Sequence, residues 1–252
     1  MQIAYHKRGS AELGREMEFK VYGHAGRPVL VFPTSNGRFY QYEDSGGIAV
    51  LSDRIEAGEL QVWTVDGIDG ESFFAEHGDL QHRVGRHEAY FRYVRHELLP
   101  EILDATGGRA PLLTGCSMGA FHASNFLFRF PETVAGVIGL SGVYSTRHFF
   151  GAALDGQIYF NSPLAYLGGL EEGELLDRIR SRRLFFCCGL GAWEERMIED
   201  TSNLAQVLSA KRIPAWIDFW GPDVSHDWPW WHRQIVYFFG KWLEADRASP
   251  VG

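Results

Sequence analysis

Short apolar runs alternate along this chain with longer stretches in which apolar side chains recur at helical spacing. Pro28 to Phe32 is a continuous apolar run, the pattern of a strand covered on both faces. Similar runs at Leu60–Val65, Ala110–Thr114, Val134–Leu140, Leu184–Cys188 and Ala215–Trp220 predict further strands. Helical spacing predicts helices over Ile48–Ala57, Leu80–Ala105, Ala120–Phe130, Leu175–Ser181, Thr201–Ala210 and Trp230–Ala245. Gly107 and Gly108 stop the second of these, and Pro131 lies just beyond the third. Two opening strands, Gln2–Lys7 and Met17–Tyr22, have no long crossover between them and are expected to pair antiparallel at a sheet edge. From Pro28 onward strands and helices alternate. The expectation is an α/β protein with a mostly parallel sheet, helices on both faces and an antiparallel N-terminal edge. Gly151–Gly173 reads as irregular, and a short tail is expected from Ala245.

Composition narrows the class. With 45% hydrophobic and 22% charged residues, the chain has the make-up of a soluble globular protein. Its 252 residues are ordinary for one α/β domain with insertions, and no repeat, low-complexity tract or linker divides it. The net charge of −8 and the absence of a long basic tract argue against nucleic acid. Arg178, Arg180, Arg182 and Arg183 come nearest to a patch but read as a solvated face. Three cysteines, Cys116, Cys187 and Cys188, do not make a disulfide framework. The opening residues lack a signal-peptide pattern, and no apolar stretch approaches a membrane span. These features predict a cytoplasmic protein without a membrane partner, and they leave a homo-oligomer open.

The chemistry concentrates at Gly115-Cys116-Ser117-Met118-Gly119, a Gly-x-Ser-x-Gly pattern set between a predicted strand and a predicted helix. In such a sharp turn the serine backbone is strained, and small flanking residues allow the close approach that lifts the hydroxyl out of the sheet edge. Ser117 is the candidate nucleophile. The competing reading is a glycine-rich helix start that Ser117 merely caps.

A serine hydroxyl needs a base. In an α/β-hydrolase the triad runs serine, acid, histidine along the chain. His226 follows the last predicted strand and precedes the closing helix, where that base belongs; His232, on the helix itself, is the main competitor. His122 falls on the elbow helix and reads as packed. His77, His82, His87 and His96 form no i, i+4 pair, so no metal site is expected. The acid must lie between Cys188 and His226. Glu194, nearest the strand end, is favoured, with Glu195, Glu199, Asp200 and Asp223 as alternatives. The oxyanion donors are expected to be the Met118 N–H and a second N–H from Ser35 or Asn36, in the loop after Phe32. Phe149 and Phe150 are candidates to line an acyl or aryl pocket. Trp220, Trp228, Trp230 and Trp231 crowd His226 in sequence; Trp230 and Trp231 are expected to pack between the closing helix and the sheet.

With these residues the chain resembles the putative esterase family of α/β-hydrolases, which includes esterase D-like, feruloyl esterase-like and enterochelin esterase-like proteins. The resemblance rests on Gly115 to Ala120, on Gly189 to Glu195, and on His226-Asp227-Trp228 with Trp230-Trp231 behind it, and it spans Pro28 to about Leu243. It implies the α/β-hydrolase fold over a single domain, 1–252, with a small cap-like insertion around 145–175. It also implies a carboxylic ester hydrolase with a serine–acid–histidine triad that needs no cofactor; the leading expectation is an esterase acting on small acyl or aryl esters through an acyl-enzyme. Two departures stand out: the oxyanion loop lacks a His-Gly-Gly element, and the acid loop carries Glu194-Glu195 where relatives often have one Asp. An acyltransferase or thioesterase on the same triad, or a non-catalytic binding scaffold, are the alternatives.

Overall fold

In the computed structural model, which describes residues 1–251, eight strands form one sheet in the order β1-β2-β4-β3-β5-β6-β7-β8. The strands are β1 (Ile3–Ser10), β2 (Arg15–Tyr22), β3 (Arg27–Val31), β4 (Leu60–Val65), β5 (Leu112–Cys116), β6 (Gly136–Leu140), β7 (Arg183–Cys188) and β8 (Trp216–Phe219). β1 pairs antiparallel with β2, and β2 antiparallel with β4. All other pairings are parallel. The fold class read from the chain is therefore the observed one.

Every residue of β3, β5 and β6 is buried, which is why those runs lack polar alternation. Their side chains divide between two cores. Leu30, Phe32, Leu113, Val137, Leu184 and Phe186 face one side, against Tyr90, Phe91, Phe126, Leu127 and Leu204. Val29, Val31, Leu112, Ile138, Phe185 and Cys187 face the other, against Ile55, Ile235, Phe238, Phe239 and Trp242. Neighbouring residues alternate between these sets, as the period-two pleat requires.

Several boundaries differ from the sequence reading. The opening hairpin is longer, because its outer strand is mostly exposed and carries no apolar signal. The long helix is broken. Leu80–Tyr93 passes through a π-helical turn, Val94–Leu98, into Leu99–Ala105. Pro100, at the start of the last piece, has no N–H and its ring crowds the preceding turn, so the helix widens there. Gly151–Gly173 is not wholly irregular: it holds the short helices Gln157–Phe160 and Pro163–Gly169. The helix expected from Thr201 begins at Glu195. It lacks a start signal because Glu194, at the capping position, makes no capping bond. The closing helix spans Trp228–Ala248, three residues past the expected tail, with the Asp227 side chain accepting from the Trp228 N–H at its start. At its far end Asp246 turns inward onto Arg27.

Candidate active site

The parallel strands β3, β5, β6, β7 and β8 end on the same side of the sheet, and their following loops gather the site. At the end of β5, Ser117 has φ 56° and ψ −119°, a region that non-glycine residues avoid. Its side chain makes no capping bond to the helix Met118–Arg129 that follows, which removes the capping reading. Tight packing imposes this turn. A Cβ on Gly119 would stand 2.3 Å from the Phe32 carbonyl oxygen, and one on Gly115 would stand 2.4 Å from the Gly119 carbonyl carbon. Both contacts are with backbone, so neither can yield by a rotamer change. Gly119→Ala is therefore expected to lower stability by about 1–3 kcal/mol, measured by denaturant unfolding, as overpacked sites do. An unchanged midpoint would show that the strand end can move.

His226 faces Ser117: its Nε2 lies 3.0 Å from the Ser117 Oγ, and its Nδ1 lies 3.2 Å from Glu194 Oε2. The His226 N–H donates to the Ala192 carbonyl (3.0 Å) and the Gly191 N–H to the Val224 carbonyl (2.9 Å), lacing the loops after β7 and β8 together. Glu194 is fully buried, and the Ser141 hydroxyl donates to its Oε1 at 2.5 Å. The Trp231 indole N–H donates in turn to the Ser141 Oγ at 3.1 Å. The Cys188 thiol lies 3.5 Å from Glu194 Oε2, with the Gly189 carbonyl nearer at 3.2 Å. Burial pushes the thiols of Cys116, Cys187 and Cys188 well up, so all three stay protonated at neutral pH. Cys116 thus offers no rival nucleophile beside Ser117.

The other candidates lie elsewhere. Glu195 is exposed at the mouth of the site. Glu199, also exposed, pairs with Arg147 at 2.5 Å, and that guanidinium holds its carboxyl below the usual range. Asp200 is buried but accepts from the N–H groups of Tyr144 (2.7 Å) and Ser145 (3.0 Å) and from His148 Nε2 (3.1 Å). Asp223 is exposed. His232 donates through Nε2 to the Ser45 carbonyl at 2.6 Å, tying the closing helix to a surface loop.

The loop after β3 separates the two oxyanion candidates. Asn36, with φ 55°, donates its N–H to Asp69 Oδ2 at 3.1 Å and is engaged, so it does not fit the donor role. Thr34 N–H goes to the Gln41 side chain at 2.8 Å and Gly37 N–H to the Thr34 carbonyl at 2.9 Å. Among the described residues the Ser35 N–H has no acceptor, and Ser35 lines the same cavity as Ser117 and Met118. Met118 is the first helical residue, whose N–H has no partner within its own helix. Asp69 is held from the other side by His122, whose Nε2 donates to Oδ1 at 2.8 Å. His122 is thus tied through Asp69 to the loop after β3.

The cavity beside Ser117 has a volume of about 520 Å³. Phe149, Phe74 and Val143 form its apolar wall, with His148, Glu195 and Arg196 at the polar rim. Phe150 does not line it. That ring is 6% exposed and stacks on Phe73 at 5.2 Å, in a small core that includes Phe121 and Ile158. The short helix Arg147–Phe150 leaves one phenylalanine half-buried on the cavity and buries the next, a division that sequence cannot make. Trp231 is buried against the second core, and Trp220 and Trp228 pack on that core. Trp230 stacks under Arg233 at 4.6 Å. Trp193 was not singled out by the sequence: it has φ 70°, is 78% exposed and stands at the cavity mouth. Ser141 and Asp69 were also missed, because neither sits in a motif and each reaches its partner only across the fold.

An open, mostly parallel sheet carrying a strained serine turn after a central strand, with a histidine and a buried carboxylate converging on it, defines an α/β-hydrolase. The chain belongs to the putative esterase family, whose sequence profile matches residues 10–241. No curated protein sequence matches it. Among solved structures, a ferulic acid esterase is similar at 17% identity and TM-score 0.72, over 94% of this chain and 95% of its own. An S-formylglutathione hydrolase from Agrobacterium tumefaciens is similar at 14% identity and TM-score 0.73, over 99% and 95%. Mycobacterium tuberculosis MPT51 (FbpC1) is similar at 14% identity and TM-score 0.70, over 97% and 99%. At such identities the likeness is one of fold. No helix among the described residues is long and apolar enough to cross a membrane.

Proposed function

We propose that this protein is a serine carboxylic ester hydrolase acting on small acyl or aryl esters. The observation that carries the reading is the unbroken chain from Ser117 Oγ through His226 to the buried Glu194, opening on a cavity lined by Met118 and by Ser35, whose N–H has no acceptor among the described residues. Ser117 Oγ attacks the ester carbonyl as His226 Nε2 takes its proton. Glu194 holds the imidazole with Nδ1–H toward itself and stabilises the imidazolium. The N–H groups of Met118 and Ser35 receive the developing oxyanion. Collapse of the tetrahedral intermediate expels the alcohol, which takes the proton from His226. Water, activated by the same histidine, then releases the acid from Ser117.

The segment around 145–175 serves as a small cap, with Phe149 as the side of the pocket that meets the acyl or aryl group. The whole chain acts as one domain; Gly252 lies outside the described residues. Three buried, unpaired cysteines favour a reducing, cytoplasmic setting. Hydrolysis of p-nitrophenyl esters from acetate to decanoate tests the reading. The expected result is turnover with a preference for short chains and stoichiometric labelling of Ser117 by a fluorophosphonate; no turnover and no labelling would overturn it. Trp193 offers a flat apolar face to an aryl group at the mouth. Trp193→Ala is expected to raise KM for 1-naphthyl acetate by roughly threefold to tenfold, the worth of one aromatic contact, while sparing ethyl acetate. Equal KM changes for both esters would remove Trp193 from recognition.

A further inference from the structure

A carboxylate as deeply buried as Glu194 is tolerated only when its oxygens accept hydrogen bonds. Oε2 faces His226 and Cys188, whereas Oε1 receives the Ser141 hydroxyl at 2.5 Å. A hydroxyl has one proton and can give it to only one acceptor. The Trp231 indole, a donor only, approaches the Ser141 Oγ at 3.1 Å and occupies one of its acceptor positions. That leaves the Ser141 proton directed at Glu194, and each bond in such a chain polarises the next. The arrangement is held by backbone. Ser141 follows β6 with φ 50°, and its N–H donates to the Cys187 carbonyl at 2.7 Å. Trp231 also meets the His226 ring edge-on, with centroids 4.8 Å apart. One tryptophan on the closing helix therefore packs on the base and, through Ser141, reaches the acid.

We propose that Ser141 and Trp231 are positioning residues forming a one-way relay, Trp231 to Ser141 to Glu194, that holds the carboxylate aimed at His226 Nδ1. The proposal rests on the reading of Ser117, His226 and Glu194 as a catalytic triad. The Glu194 carboxylate accepts from Ser141 with one oxygen and from His226 with the other.

The test is kcat and KM on p-nitrophenyl butyrate for the wild type, Ser141→Ala, Trp231→Phe and the double variant, alongside Ser141→Ala in a Glu194→Gln background. Loss of one hydrogen bond to a charged group predicts that Ser141→Ala lowers kcat roughly tenfold or more, with KM within about twofold. Trp231→Phe, which keeps the ring but loses the N–H, lowers kcat in the same way by less. It adds nothing once Ser141 is alanine, and Ser141→Ala adds nothing once Glu194 is glutamine. A folded Ser141→Ala enzyme with the wild-type kcat would overturn the relay, as would a loss carried by KM or full additivity of the two changes. Should Ser141→Ala fail to fold, Trp231→Phe decides by the same fall in kcat at unchanged KM. A wild type without turnover or Ser117 labelling would instead remove the esterase reading on which the relay rests.

Discussion

Replacing Ser117 by alanine is expected to lower kcat on a short-chain p-nitrophenyl ester by roughly 10⁴- to 10⁶-fold, the range found when one member of a triad is removed. Among the described residues the hydroxyl has no hydrogen-bond partner other than His226. The φ of 56° is strained for alanine as it is for serine, so the substitution adds no new backbone cost. The thermal midpoint should therefore stay within a few degrees of wild type, and the N–H groups of Ser35 and Met118 should still bind substrate with little change in affinity. Comparing turnover, melting curve and fluorophosphonate labelling in the two proteins checks this. A folded variant that keeps even a hundredth of the activity would mean that another group attacks the ester.

The largest stability effect is expected far from the site. Arg27, at the start of β3, and Asp246, near the end of the closing helix, are 2% and 6% exposed and meet through bonds of 2.6, 2.7 and 3.0 Å. Arg27 also donates to the Ala110 carbonyl at 3.1 Å. Arg109 and Arg183 stand 3.6 and 3.8 Å from the same carboxylate. Removing Asp246 leaves a buried guanidinium without its counter-ion and two more cations beside it. Breaking a buried pair on one side costs about 3–5 kcal/mol. For a chain of this length that is a fall in Tm on the order of 10 °C. Asp246→Ala should therefore melt early yet keep its kcat at low temperature, because Arg27 lies at the opposite end of the parallel strands from Ser117. The double substitution Arg27→Met with Asp246→Leu should recover most of the loss, since an apolar pair carries no desolvation cost. A loss below about 1 kcal/mol in Asp246→Ala would show that solvent reaches the pair.

Pro28–Phe32 and Val134–Leu140 read directly as buried strands because strands covered on both faces cannot alternate. β1 was read short because an exposed edge strand has no apolar run to announce it. The elbow was legible because Gly-x-Ser-x-Gly is a local demand: the contacts that exclude a Cβ at Gly115 and Gly119 lie within the turn and at the strand beside it. The π-helical turn before Pro100 was not read, because helical spacing alone does not register a one-residue bulge.

The sequence by itself determined the alternating order of strands and helices, the sheet's mixed character, the serine turn and the place of His226 after the last strand. These follow from hydrophobic period and chain order, which are properties of neighbours along the chain. Only the tertiary structure separated Glu194 from Glu195, Ser35 from Asn36 and Phe149 from Phe150. Each pair consists of adjacent residues with similar chemistry, and which one turns toward the site depends on partners 33 or more positions away, such as Ser141, Asp69 and Phe73. Burial of Glu194 between Ser141 and His226 is a consequence of β6, β7 and β8 lying side by side, a contact made by sheet order and invisible to any local pattern.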